Sequence, residues 1–483
     1  MTLFVLAPVS LDVRVLFSEV ANLTYQLDAV SGVLGHIDPS DYQALWKRDF
    51  LRTAEDEARL KSWGTLKKRY YASANLDGVS MPFEASPRSV SLFDNIRVAA
   101  FRAKTDEEFL SDAALLMVPA DVAKMGEILR YFSPRFHVWW KSEAEGRGKT
   151  FVKKVDRLMR SEPTRGEIER FRSFYGPSLP EGARVYFSLL YRPNLAKAPT
   201  NGQQIGNVGV AEFLPDETPE KRLDVVLHEF CHFLYNSRSD DDNLALQNAF
   251  ANSGDPAAKP SYNLLNEGMA TALGNGIVGR SFRSASEWPA YLARPRSFYN
   301  NANIDRAAKR LLPMMDSWLA SGRTMRDPAF APTYIAAMKE AFGPGLTRPT
   351  LFLGEAYILV DDQFGLDFAR KARRDLNIAS AYMTVSSEID EKTLEDYVGQ
   401  PNLSALFVIP TVRLKALVER GVLTSGEAEA IRAEVLAHKS ALFGHPRSAN
   451  AHSFLIVTDD AAEAGKRVGQ LAGALALFSG VLP

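Results

Sequence analysis

Thr218-Pro219-Glu220-Lys221-Arg222-Leu223-Asp224-Val225-Val226-Leu227-His228-Glu229-Phe230-Cys231-His232-Phe233-Leu234-Tyr235 is the stretch on which both fold and chemistry turn. It opens as a helix does: Thr218 at the N-cap, Pro219 at the first helical position, and an acid, Glu220, in the first turn. Leu223 to Tyr235 then runs without Gly or Pro. Val225, Val226, Phe230, Phe233 and Leu234 give a broad apolar surface, which predicts a core helix. His228, Glu229 and His232 spell H-E-x-x-H. Residues four apart share a helix face, so the two imidazoles can meet one metal ion. Glu229 projects beside them, where a carboxylate can take a proton from metal-bound water. The competing reading is an amphipathic helix with two satisfied histidines. Two histidines and a glutamate inside an apolar helix need a partner, however, and a metal ion supplies one.

A catalytic zinc has three protein ligands and one open position. The best third candidate is Glu267, in Leu265-Asn266-Glu267-Gly268-Met269-Ala270-Thr271, 35 residues after His232. That gap is long enough to bring a second helix alongside the first. Leu265, Met269 and Leu273 recur at helical spacing, which leaves Glu267 on a different face from the packing stripe. Upstream, residues 183–190 and 207–214 read as strands, with a Pro/Asn/Gly-rich stretch, Arg192 to Gly202, between them.

The pairing of His228-Glu229-x-x-His232 with Asn266-Glu267-Gly268-Met269-Ala270 resembles the gluzincin metallopeptidases, the clan of thermolysin and the zinc aminopeptidases. The likeness covers about residues 183 to 275. It implies a zincin-like catalytic domain and one Zn2+ per chain held by His228, His232 and Glu267. Glu229 is then the general base, and a peptide or protein is the substrate. It also implies an edge strand that pairs with extended substrate, a role given to residues 207–212. In that clan a downstream Tyr or His supports the tetrahedral oxyanion. Tyr334, Tyr357 and His452 are the candidates here. Thr271 stands where thermolysin-like members carry an Asp, four residues after the ligand glutamate, as an outer-shell partner of a histidine. The aminopeptidases hold the substrate amine with a G-x-M-E-N segment. Gly206 to Glu212 occupies the comparable region without that motif, and Glu212 is the candidate for an amine. The third histidine of the metzincin pattern would fall at position 238, which is Arg238.

The chain has 483 residues, 46% hydrophobic and 24% charged, the balance of an ordinary globular protein with room for a large core. Its net charge of −1 favours neither nucleic acid nor an anionic membrane. The basic runs Lys67-Lys68-Arg69 and Arg370 to Arg374 read as solvated helix faces. Cys231, the single cysteine, can make no intramolecular disulfide and reads as a small buried apolar residue. Met1 to Pro8 lacks the basic segment of a signal peptide, and no apolar run reaches membrane-spanning length. A soluble protein is expected, either cytoplasmic or exported with its signal absent from this sequence.

These patterns predict an α+β protein in three parts. Residues 1–175 are mostly helical, with aromatic clusters such as Phe136 to Trp140. Residues 176–345 form the catalytic unit, bounded by Pro177 and Pro180 at one end and Gly343-Pro344-Gly345 at the other. Residues 346–483 form a small α/β domain, with strands at Ala381–Val385, Ser404–Ile409 and Ser453–Val457. Leu471 to Leu482 reads as a buried helix. Gly274-Asn275-Gly276-Ile277-Val278-Gly279 matches G-x-G-x-x-G but follows a helix rather than a strand. It reads as a glycine-rich helix exit, not a dinucleotide site. Two other functions compete with peptide hydrolysis: a binding or regulatory module on an inactive zincin scaffold, and a zinc hydrolase of a non-peptide substrate.

Overall fold

The computed structural model describes residues 11–34, 37–71, 81–83, 91–378, 380–448 and 450–482. The reading of Met1 to Pro8 lies outside them. The chain is α+β, with two mixed sheets among many helices.

The first sheet has the order β1-β2-β4-β3: β1 (Asp12–Leu16), β2 (Arg184–Tyr191), β4 (Val208–Phe213) and β3 (Gly202–Ile205). β1 runs parallel to β2, and β2 parallel to β4. β4 is buried throughout, as befits a strand flanked on both sides. β3 and β4 form an antiparallel hairpin in which Ile205 faces Val208. Its two-residue turn is Gly206-Asn207, and Gly206 adopts φ 55°, which a side chain would resist. This hairpin changes one expectation. Residues 207–212 lie largely within β4, inside the sheet, and the edge strand is β3. The Gly206-Asn207 turn was the signal in the sequence, at the start of the segment read as the second strand.

The second sheet has the order β10-β8-β9-β7-β5-β6. It is built from β5 (Glu355–Val360), β6 (Ser380–Val385), β7 (Ser404–Ile409), β8 (Ser440–Ser448), β9 (Ala451–Thr458) and β10 (Gly480–Leu482). β6, β5, β7 and β9 are mutually parallel, and β8 and β10 are antiparallel to their neighbours. Side chains alternate across it, so Tyr357 and Leu359 enter one apolar core while Ala356, Ile358 and Val360 enter the other. The expected helix from Leu471 to Leu482 is not formed. The helix Ala461–Gly473 ends first, and β10 then pairs with β8.

Apolar packing crosses the boundary read near residue 176. One core runs from Val20 to Leu351, and β1 belongs to the same sheet as the strands before the motif helix. Core membership changes between Leu351 and Leu353. Phe136, Trp139 and Trp140 are all buried in the larger core. Lys67, read as a solvated residue, has no exposed surface. It lies between the rings of Trp63 and Phe93, 3.5 Å from Asp28. Trp63 lies one turn earlier on the same helix, but Phe93 and Asp28 come from other helices, so the local basic run could not reveal the whole pocket.

Candidate metal centre

The H-E-x-x-H residues sit on the helix Pro219–Asn236, which begins after Thr218 with Pro219 at its first turn. This motif helix packs on β3 and β4 on one side. On the other it meets the helix Leu265–Ala270 and the π-helix Thr271–Val278 that continues it. His228, Glu229 and His232 are all buried.

His228, His232 and Glu267 converge, with one potential ligand atom from each within 4.8 Å of the others. The two Nε2 atoms are 2.9 Å apart. Glu267 lies 3.6 Å from Nε2 of His228 and 3.5 Å from Nε2 of His232. The opposite ring nitrogens are both engaged. Nδ1 of His232 is 2.9 Å from Oδ1 of Asn266, and Nδ1 of His228 is 3.0 Å from Oδ1 of Asn275. With each amide oxygen accepting from Nδ1–H, both Nε2 atoms are left basic and turned toward Glu267. That is the arrangement a divalent ion needs.

The electrostatics agree. Burial opposes charge on His232, yet the Glu267 carboxylate outweighs it, with help from Glu229, and pushes the imidazole up to about 9. Burial likewise opposes charge on Glu267, but His232 and His228 hold its carboxyl well below the usual range. The cluster attracts positive charge, which an ion would supply in place of a proton. Glu229 is raised, first by burial and also by Glu267, while the two histidines pull it down.

Glycines make room for this group. A Cβ on Gly202 would fall on Oε1 of Glu229, and one on Gly209 would come 3.3 Å from Cβ of Glu229. A Cβ on Gly274 would lie 2.5 Å from the backbone nitrogen of His228. Gly274 and Gly276 therefore lie inside the helical run, where they allow close packing; they are not a helix exit. Gly268 faces the hydroxyl of Tyr334, 3.3 Å from where a Cβ would be.

The candidate oxyanion residues are placed differently from one another. Tyr334 is fully buried behind Gly268, and its hydroxyl has no hydrogen-bond partner among the described residues. Tyr357 belongs to the second sheet, with its hydroxyl donated to the carbonyl of Thr393. His452 is also in the second sheet, bonded to the carbonyl of Phe478. The structure brings neither to the cluster. It brings Tyr299 instead. That ring stacks on His228 at 5.7 Å, and the nearby Glu267 carboxylate raises its ionisation well above the ordinary value, with burial adding to the effect. Tyr299 lies in an irregular segment just before the helix Ala302–Ala320, so no periodicity marks it.

Glu212 is not free to hold a substrate amine. It is fully buried and accepts from Tyr42 at 2.8 Å, from Arg192 at 2.6 Å and from both the main chain and side chain of Asn201. Thr271 is buried, and its hydroxyl has no partner among the described residues. The side chain beside Nδ1 of His228 is instead that of Asn275. Cys231 is buried, and its thiol is pushed up by burial, as expected of a packing residue. No helix among the described residues is long and apolar enough to cross a membrane.

His228, His232 and Glu267 thus form a group that could hold a metal ion. Compared with known protein families, curated proteins and solved structures, the chain matches none of them.

Proposed function

We propose that the protein is a zinc-dependent peptidase of gluzincin type, with a zincin-like catalytic unit built from the first sheet, the motif helix and the glutamate helix. The observation that carries this reading is the convergence of His228, His232 and Glu267, with Glu229 on the same helix and both histidines held by amides. The donor set of two imidazoles and one carboxylate suits zinc and leaves a fourth position open. A bound zinc would polarise the scissile carbonyl and acidify a water molecule.

The chain's own residues supply the rest. Glu229, buried and raised from its ordinary value by that burial, takes the proton of the attacking water and returns it to the leaving amine. Tyr299, beside His228 and Glu267, stands where a neutral hydroxyl can donate to the developing oxyanion. β3 offers its outer edge to an extended peptide, as no other described strand pairs with that side. Its side chains are held from both faces: Gln203 accepts from Arg97 and Gln204 from Asn236, each at 2.7 Å. A firm edge of this kind recognises main chain rather than side chains.

The test is elemental analysis of protein purified without added metal, followed by cleavage of a mixed peptide library with and without a chelator. About one zinc per chain and chelator-sensitive cleavage support the reading. Zinc without cleavage of any peptide would favour a binding module or a non-peptide hydrolase. Failure to take up zinc would remove the proposal altogether.

A further inference from the structure

Resting on that zinc reading, we infer that Asn275 is a positioning residue for His228, carried into the site by the π-helix. The observation is geometric. Oδ1 of Asn275 lies 3.0 Å from Nδ1 of His228, and both residues are buried. The bond leaves Nε2 as the nitrogen facing Glu267 and fixes the plane of the ring.

Helical register explains why this residue is the one that reaches. Glu267 and Asn275 are eight positions apart, and both must face His228. An α-helix advances about 100° per residue, so eight steps would leave Asn275 about 80° away from Glu267. Four such steps to Thr271, followed by four of roughly 80° each, the advance left by hydrogen bonds from i to i+5, bring Asn275 to within about 10–20° of the direction of Glu267. The run Thr271–Val278 is π-helical, and it contains Asn275. Without that widening, the amide would turn away from the motif helix.

Close approach is the second requirement. A Cβ on Gly274 would come 2.5 Å from the nitrogen and 2.6 Å from the Cα of His228. Glycine at 274 therefore lets the π-helix backbone press on the motif helix at the ligand itself. Only at that separation can a side chain as short as asparagine span the gap. The neighbouring hydroxyl of Thr271 makes no such bond.

The acceptor is neutral. It orients the imidazole without adding a second negative charge to a centre that already holds Glu229 and Glu267. An aspartate in its place would increase the basicity of His228 and tighten the ion.

The experiment measures the zinc dissociation constant by chelator competition, with the melting temperature of the metal-free protein recorded in parallel. Asn275→Ala is expected to weaken zinc by about 10- to 100-fold, and Asn275→Asp to bind at least as tightly as wild type. A packing role alone would lower the melting temperature of both variants and leave the zinc constant unchanged, which would overturn the inference. If Asn275→Ala does not fold, Asn275→Ser provides the same comparison. Wild-type protein that takes up no zinc would defeat the underlying reading as well. Wild-type uptake with unaltered affinity in the alanine or serine variant would defeat this inference alone.

Discussion

At the scale of single residues, the proposed peptidase reading separates groups that would do chemistry from groups that would hold them. Glu229→Gln keeps the ligands and loses the base, so hydrolysis should disappear while zinc content stays near wild type; wild-type turnover would reject Glu229 as the base. Tyr299→Phe removes one hydroxyl beside His228 and should lower kcat by about 100-fold with little change in KM, the pattern of a donor used in the transition state. An unaltered kcat would leave the oxyanion to another group. Asp224, one turn before His228, provides a separate check. Burial raises its carboxyl to about 6 despite Arg222 and Arg283 nearby, and its Oδ1 has no hydrogen-bond partner among the described residues. The folded state therefore prefers the protonated acid. Stability from this residue is full below about pH 4 and is lost as pH rises through about 6, by about 3 kcal/mol at pH 8. Asp224→Asn should remove that loss, so the variant should gain on wild type between pH 4.5 and pH 8 in denaturant titrations. Parallel pH profiles would show that Asp224 finds a partner in solution.

At the scale of elements, the decisive contact is helix against helix. The motif helix is buried almost all round because the sheet, the glutamate helix and the π-helix each take a face of it. Glycines at the closest approaches permit this packing. Gly274→Ala would press a methyl group into the backbone of His228 and should cost about 1–3 kcal/mol or more, with weaker zinc binding as the two helices part. Thermal melting and the zinc constant should move together. A loss of stability with intact zinc affinity would mean that the helices separate elsewhere.

At the scale of the whole molecule, the N-terminal helices and the first sheet are joined by a buried charged network. Arg192 donates to Asp41 at 2.8 Å and to Glu212 at 2.6 Å, with none of the three side chains exposed. Tyr42 completes it from the same helix as Asp41. Arg192→Met would leave two buried carboxylates unpaired and should cost about 3–5 kcal/mol. Since β1 and the core from Val20 to Leu351 are shared, residues 11–351 should unfold in one cooperative transition. Two transitions within that range, detected by hydrogen exchange, would show that the shared core is not cooperative.

The sequence alone carried whatever depends on short-range pattern. The motif helix, its proline start, the glutamate 35 residues on and three of the six strands of the second sheet, β6, β7 and β9, follow from periodicity and spacing, which act over a few residues. Tertiary structure decided the rest. It made β3 rather than residues 207–212 the edge, since edge status depends on which strand finds a neighbour. It locked Glu212 to Arg192 and Tyr42, residues distant along the chain. It chose Tyr299 and Asn275 for the site, one from an irregular segment and the other through a π-helical register. Position along the chain marks neither of them, because hydrogen bonds and ring contacts depend on distance in space.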